Sequence, residues 1–200
     1  MSKAQVQQII DSVRDATAKM CWIPALITAL TVPDILGQVE FPEMVYKRGN
    51  RNVGRQYRAW FKRHVEHRYA DETGFDEKLN AKNPYFTAKM CYALRCSMLH
   101  QGSDDIDFEY RFEDDDDAGY SYVFELRANA CDSYGAIWPS LQEGEKTHKT
   151  IHVCIDVKTL CDAICDEGEK YINDAPEDSF GSIGFNLVDV TRIIPGTNDA

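Results

Sequence analysis

The stretch 86–101, FTAKMCYALRCSMLHQ, constrains this chain most. Met90, Leu94 and Met98 recur every fourth position, and Cys91, Ala93 and Leu99 fill the gaps between them. That spacing predicts a helix that is apolar nearly all round. Such a helix is stable only when other elements surround it, so it belongs at the centre of the fold. Gly102 fits its C-terminal cap. Two residues break the pattern, Arg95 and His100. A guanidinium on a central helix costs several kcal/mol (~3 or more) if buried without a partner. It therefore implies an internal carboxylate, an interface or a chemical role. Asp34 and Glu40 are the carboxylates that could pair with it.

The covering elements can be read from periodicity. Residues 3–20 predict an amphipathic helix with Val6, Ile9, Val13, Ala16 and Met20 on one stripe. Residues 22–36 predict a second, largely buried helix, with Pro24 in its first turn and Pro33 ending or kinking it. A loop over 37–52 leads to a third helix over 53–69. Its apolar side carries Val53, Tyr57, Trp60, Phe61 and His64. Residues 71–84 form a polar connection before the central helix. After it the period changes to two. Ile106, Phe108, Tyr110 and Phe112 alternate with polar residues, as do Tyr122, Phe124 and Leu126, with a break at 114–119. That predicts a β-hairpin. Ile151, Val153, Ile155 and Val157 predict a further strand, and Asp156 caps a last helix over 158–173 that turns Leu160, Ala163, Ile164 and Tyr171 inward. Residues 185–194 suggest a short returning strand, followed by a frayed tail. The expected fold class is mainly α, a helical bundle over 1–105, elaborated over 106–200 by a small antiparallel β-sheet and a C-terminal helix packing on the bundle. The whole is α+β.

Two hundred residues with 44% hydrophobic and 11% aromatic content suffice for a sizeable core. No signal-peptide core opens the chain, and the apolar run 21–36 is interrupted by Pro24, Pro33 and Asp34. A soluble, cytoplasmic protein is expected. Seven cysteines with no CxxC pair read as buried thiols and not as a disulfide framework or zinc site.

The net charge of −11 argues against a protein that coats nucleic acid, but the charge is segregated. Residues 47–68 hold eight basic side chains and one acid, Glu66, which makes the segment +7 and the remainder −18. Arg51, Arg55, Arg58 and Lys62 fall within roughly 60° of one another, opposite the apolar side of the third helix. That stripe either pairs with the protein's own acids or tracks a phosphate backbone, and these four are the candidate RNA-binding residues. Asp114–Asp117 lack the alternating spacing of a calcium loop and read as a solvated turn. His64 reads as a satisfied core histidine, not as half of a metal pair with His67. No P-loop, GxGxxG or Ser-His-Asp order is present.

Arg95 and His100 form an R-x4-H motif in LRCSMLHQG. Together with ALITALTVPDILG, VEF and YRAWF upstream, it resembles an uncharacterised bacterial subgroup of HEPN domains over roughly residues 20–105. The resemblance implies an α-helical bundle, a homodimer with two motifs facing one composite site, and metal-independent endoribonuclease activity, often of toxins or antiviral effectors. An antitoxin or regulatory protein is then a further partner. Arg95 and His100 would be catalytic, with no metal or cofactor and no membrane. The residue after the arginine is commonly Asn, Asp or His in active members, and here it is Cys96. The alternative is a non-catalytic HEPN-like module that binds RNA or protein and dimerises. A metal-dependent hydrolase built on the histidines and the aspartate run is a third, weaker reading.

The chemistry suits the residues. Histidine exchanges protons near neutral pH, and arginine offers a planar fork of donors that matches phosphate. On a straight helix positions 95 and 100 point about 140° apart. They converge only through the length of Arg95, a loosened last turn, or a second chain.

Overall fold

The computed structural model describes residues 2–100, 120–137 and 149–181. Helix α1 spans Lys3–Ala18 and opens on a capping box. The Ser2 hydroxyl accepts from the Gln5 amide, and the Gln5 side chain accepts from the Ser2 amide. Val6, Ile10, Val13 and Thr17 are its buried stripe. Met20, expected on that stripe, lies beyond the helix end at φ 57° and is exposed.

The second apolar stretch is two helices. Helix α2 covers Trp22–Ala29 and α3 covers Val32–Glu40. Pro33 does not end a helix; it occupies the first turn of α3, where its missing N–H costs nothing. By length and composition alone, Trp22–Glu40 would suffice to cross a membrane. In the fold the break at Leu30–Thr31 divides it, and Ala25, Leu26, Ala29, Leu30, Val32 and Leu36 are buried in the core. Helix α4 spans Val53–His64, capped by the Asn52 side chain on the Arg55 amide, and a single 3-10 turn, Glu66–Tyr69, follows it. Gly37 lets α3 lie on α4: a Cβ there would sit 2.6 Å from the Gln56 carbonyl oxygen.

Helix α5 spans Ala88–His100, and Ala88, Met90, Cys91, Ala93, Leu94, Ser97 and Met98 are buried. Its first turn is held by side chains. The Glu66 carboxylate accepts from the Ala88 amide at 2.6 Å and the Thr87 hydroxyl from the Met90 amide at 3.2 Å. These satisfy donors that have no partner within the helix.

The sheet differs from the antiparallel expectation. Strands β1 (Tyr120–Arg127), β2 (Ser133–Ile137) and β3 (Lys149–Asp156) lie in the order β1-β3-β2. β1 runs parallel to β3, with Phe124 opposite Val153, and β2 runs antiparallel to it, with Tyr134 opposite Val153. The physical reason is in β3. Val153, Cys154 and Ile155 are consecutive and all buried, so both faces of this strand are covered. A strand covered on both faces takes the middle of the sheet, and alternating strands take its edges. β1 does alternate, with Phe124 and Leu126 packed on the core and Val123 and Glu125 outward. The expected strand around 106–112, the Asp114–Asp117 turn, the returning strand around 185–194 and the tail lie outside the described residues.

β3 runs directly into α6, Val157–Asp174, capped as expected by Asp156 on the Thr159 amide at 2.9 Å. Helix α6 packs on α1, α2 and α3, and its apolar residues share one cluster with the bundle. The fold is thus mainly helical and α+β, with the R-x4-H helix set among α2, α4 and the sheet-side aromatics Phe86 and Phe124.

Candidate active site

Arg95 and His100 meet within one chain. Arg95 Nη1 lies 3.2 Å from His100 Nε2 at the last turn of α5. The length of the arginine side chain spans the angle between the two positions. Arg95 Nη2 donates to Asp34 Oδ2 at 2.6 Å, and the two side chains are only 16% and 15% exposed. This is one of the two carboxylates the sequence offered. The guanidinium is thereby satisfied at one end and turned toward the histidine at the other. Arg95 Nε is buried with no hydrogen-bond partner among the described residues. Burial works to lower the arginine's pKa, but the charge of Asp34 and its hydrogen bond outweigh it and raise the value. Arg95 stays a cation.

Asp34 is shared. Its Oδ1 accepts from Arg51 Nη2 at 2.9 Å, and the same nitrogen donates to the Asp34 carbonyl oxygen. Arg51 Nε donates to Gln56 Oε1 at 2.6 Å, and Gln56 Nε2 donates to the Phe41 carbonyl at 2.8 Å. Gln56 is 1% exposed. A continuous hydrogen-bonded series therefore runs from His100 through Arg95, Asp34, Arg51 and Gln56 to the backbone at Phe41. It ties α5, α3, the 41–52 loop and α4 together. One carboxylate sits between two guanidiniums, which leaves the group with one unit of positive charge. Below it the Tyr57 hydroxyl lies 3.3 Å from the Cys91 sulfur, and burial pushes that thiol up to about 12.

The four candidate RNA-binding residues divide. Arg51 is held inward by Asp34 and Gln56. Arg58 donates to the Gly54 carbonyl at 2.9 Å and lies 5.8 Å from the centre of the Tyr92 ring. Arg55 and Lys62 are exposed and make no ion pair with a described residue. Other basic residues of the segment do pair with the protein's own acids: Arg63 with Glu40 at 2.6 Å, and Arg68 with Glu167 at 2.8 Å and Asp166 at 3.3 Å.

His64 is half-buried against Trp60 and Tyr171, with Nε2 2.8 Å from Glu40. His67 faces a different carboxylate, Glu167, at 3.8 Å. Among the described residues no three His, Cys, Asp or Glu side chains are grouped as metal ligands would be. Cys161 and Cys165 are buried free thiols.

A cleft of about 460 Å³ opens beside Asp34 and Arg51, between α3 and the 41–52 loop. Sequence reasoning missed both this cleft and the role of Gln56. The signal for Gln56 was weak: at about 100° per residue it falls about 40° outside the arc of Trp60, Val53 and Tyr57, at the border of the apolar face, where a glutamine need not be buried.

No family model, curated protein or solved structure matches the chain.

Proposed function

We propose that this protein is a HEPN-like, metal-independent endoribonuclease in which Arg95 and His100 act on the scissile phosphodiester. The observation that supports this reading is the 3.2 Å contact between Arg95 Nη1 and His100 Nε2, with Nη2 anchored on Asp34. Donation from the guanidinium requires the ring nitrogen Nε2 to be unprotonated, with the proton on Nδ1. A phosphate oxygen arriving at Nη1 takes over that donor and frees Nε2. The imidazole then accepts the proton of the ribose 2′-hydroxyl. The 2′-oxygen attacks phosphorus, the bond to the 5′-oxygen breaks, and Arg95 stabilises the charge that develops on the phosphate oxygens. The products are a 2′,3′-cyclic phosphate and a 5′-hydroxyl.

A single histidine serves one side of the phosphorus, whereas the leaving oxygen needs a proton from the other. A symmetric homodimer supplies a second histidine there. On this reading the protein acts in the cytoplasm as a toxin or antiviral effector, and an antitoxin or regulatory protein restrains it. Arg55 and Lys62, exposed on α4, are the residues free to meet the RNA backbone.

One observation favours a second reading. Asp34 already matches the charge of Arg95, as it would in a non-catalytic module that binds RNA or protein and dimerises. Incubation with end-labelled single-stranded RNA in excess chelator separates the two. Cleavage by the wild type supports the nuclease; retention of RNA without cleavage supports the binding module.

A further inference from the structure

The cleft between α3 and the 41–52 loop is neutral and mixed in character. Asp34 and Arg51 line it as an ion pair whose charges cancel, and no other described lining residue is ionisable. Ile35, Val39, Pro42 and Val45 give it apolar walls, and Thr31 and Gln38 put a hydroxyl and an amide between them. Val45 is 43% exposed, and Ile35 and Val39 are only half-buried. Such walls offer little to an ion. They suit a neutral stretch of extended chain, whose apolar side chains alternate with peptide groups that need hydrogen-bond partners.

The chain itself brings such a stretch to the cleft. After α6 a 3-10 turn, Glu177–Ser179, leads to Phe180, whose backbone is extended at φ −89° and ψ 102°. Ser179 and Gly181 line the cleft, while Phe180 between them packs on the core, with the Lys3 ammonium 5.9 Å from its ring centre. The two odd-numbered residues face the cleft and the even one turns away, which is the alternation of an extended chain. The sequence continues SIGFNLV over 182–188. In the same register the odd positions are Ile183, Phe185 and Leu187, and the even ones are Ser182, Gly184 and Asn186. Every apolar side chain as far as Leu187 thus falls on the cleft side. No ionisable side chain occurs from Ser179 to Val188, which matches the neutral walls. The chain from Gly181 to Leu187 reaches about 20 Å at roughly 3.3 Å per residue. The face of α3 from Thr31 to Val39 is shorter, about 12 Å at roughly 1.5 Å per residue.

We propose that residues 183–187 of this chain occupy the cleft, with Ile183, Phe185 and Leu187 set against Ile35, Val39, Pro42 and Val45. The docked segment ties the end of α6 to α3 and the 41–52 loop. Those two elements carry Asp34 and Arg51, so the segment braces the anchor of Arg95 from outside. The inference does not depend on the nuclease reading.

Hydrogen exchange of the full chain, read by mass spectrometry on peptides covering 182–188, tests it. These amides should exchange at least about tenfold more slowly than in the free peptide of the same sequence. Val45→Asp, at an exposed loop position, should remove most of that protection. Phe185→Ser reads the cleft from the other side and should speed exchange in the 42–51 loop, also by at least about tenfold. Melting curves establish that both variants fold. Wild-type amides exchanging as fast as the free peptide would overturn the proposal, as would full protection in a folded Val45→Asp. Protection that disappears on dilution, with the melting curve unchanged, would put the segment in the cleft of a second copy and overturn it too. If Val45→Asp does not fold, Phe185→Ser decides, and unchanged exchange in the 42–51 loop overturns the proposal.

Discussion

Asp34 Oδ2 accepts from Arg95 at 2.6 Å while its Oδ1 accepts from Arg51 at 2.9 Å. One carboxylate, on a short helix that opens with a proline, fixes the arginine of the R-x4-H helix from outside that helix. Everything assigned to Arg95 depends on this arrangement.

Asp34→Asn keeps the shape and removes the charge. Two guanidiniums then face a neutral amide in a partly buried place, and the protein should lose about 2 kcal/mol of stability. Urea denaturation measures it. A change below about 0.5 kcal/mol, the usual range for an exposed site, would mean that solvent and not Asp34 compensates these arginines.

The acid limb of the stability profile should contain Glu40. Burial pushes its carboxyl up, but the hydrogen bonds from His64 and Arg63 outweigh burial and hold it below the usual carboxylate range. Its folded value is therefore lower than its unfolded value of about 4.3. The stabilisation is complete above the unfolded value and is lost as pH falls through the folded one. Glu40→Gln should be less stable than wild type at pH 7, by about 1 kcal/mol, and the gap should close below about pH 4. A gap that persists unchanged at pH 3 (about one unit below the unfolded value) would show that the loss comes from packing.

Much of the bundle was legible because its signals are local. The α1 stripe, the cap at Asp156 and the apolar helix around Leu94 follow from spacing within a few residues. Pro33 was misread because a proline one residue into a helix and a proline beyond its end look alike when apolar residues such as Leu30, Val32, Ile35 and Leu36 recur on both sides of it. Only the break at Leu30–Thr31 distinguishes them. The sheet was misread for a different reason. Alternation in β1 gives its faces but not its neighbour, and the parallel pairing with β3 joins residues 29 apart, as Phe124 and Val153 are. At the site, the Arg95–Asp34 pair could be anticipated from the cost of a buried cation. The Arg51–Gln56 link could not, because it is made by a loop.

Arg55 and Lys62 carry the next prediction. They lie two turns apart on α4 and both are exposed. Changing both to glutamine should leave stability within about 0.5 kcal/mol. The slope of log affinity for single-stranded RNA against log salt should become shallower by about 1.4, near 0.7 for each phosphate that is no longer neutralised. An unchanged slope would remove Arg55 and Lys62 from the account.

The central claim is that Arg95 and His100 act as a chemical unit. The most direct measurement is the single-turnover cleavage of a labelled single-stranded RNA in excess chelator by wild type and by His100→Ala, with the product termini identified. His100 is exposed at the end of α5, so its truncation should leave the melting curve unchanged. The account predicts 2′,3′-cyclic phosphate and 5′-hydroxyl ends from the wild type, and a rate at least about 100-fold lower from a folded His100→Ala. Cleavage at the wild-type rate by that variant, or no cleavage by either protein, would contradict it.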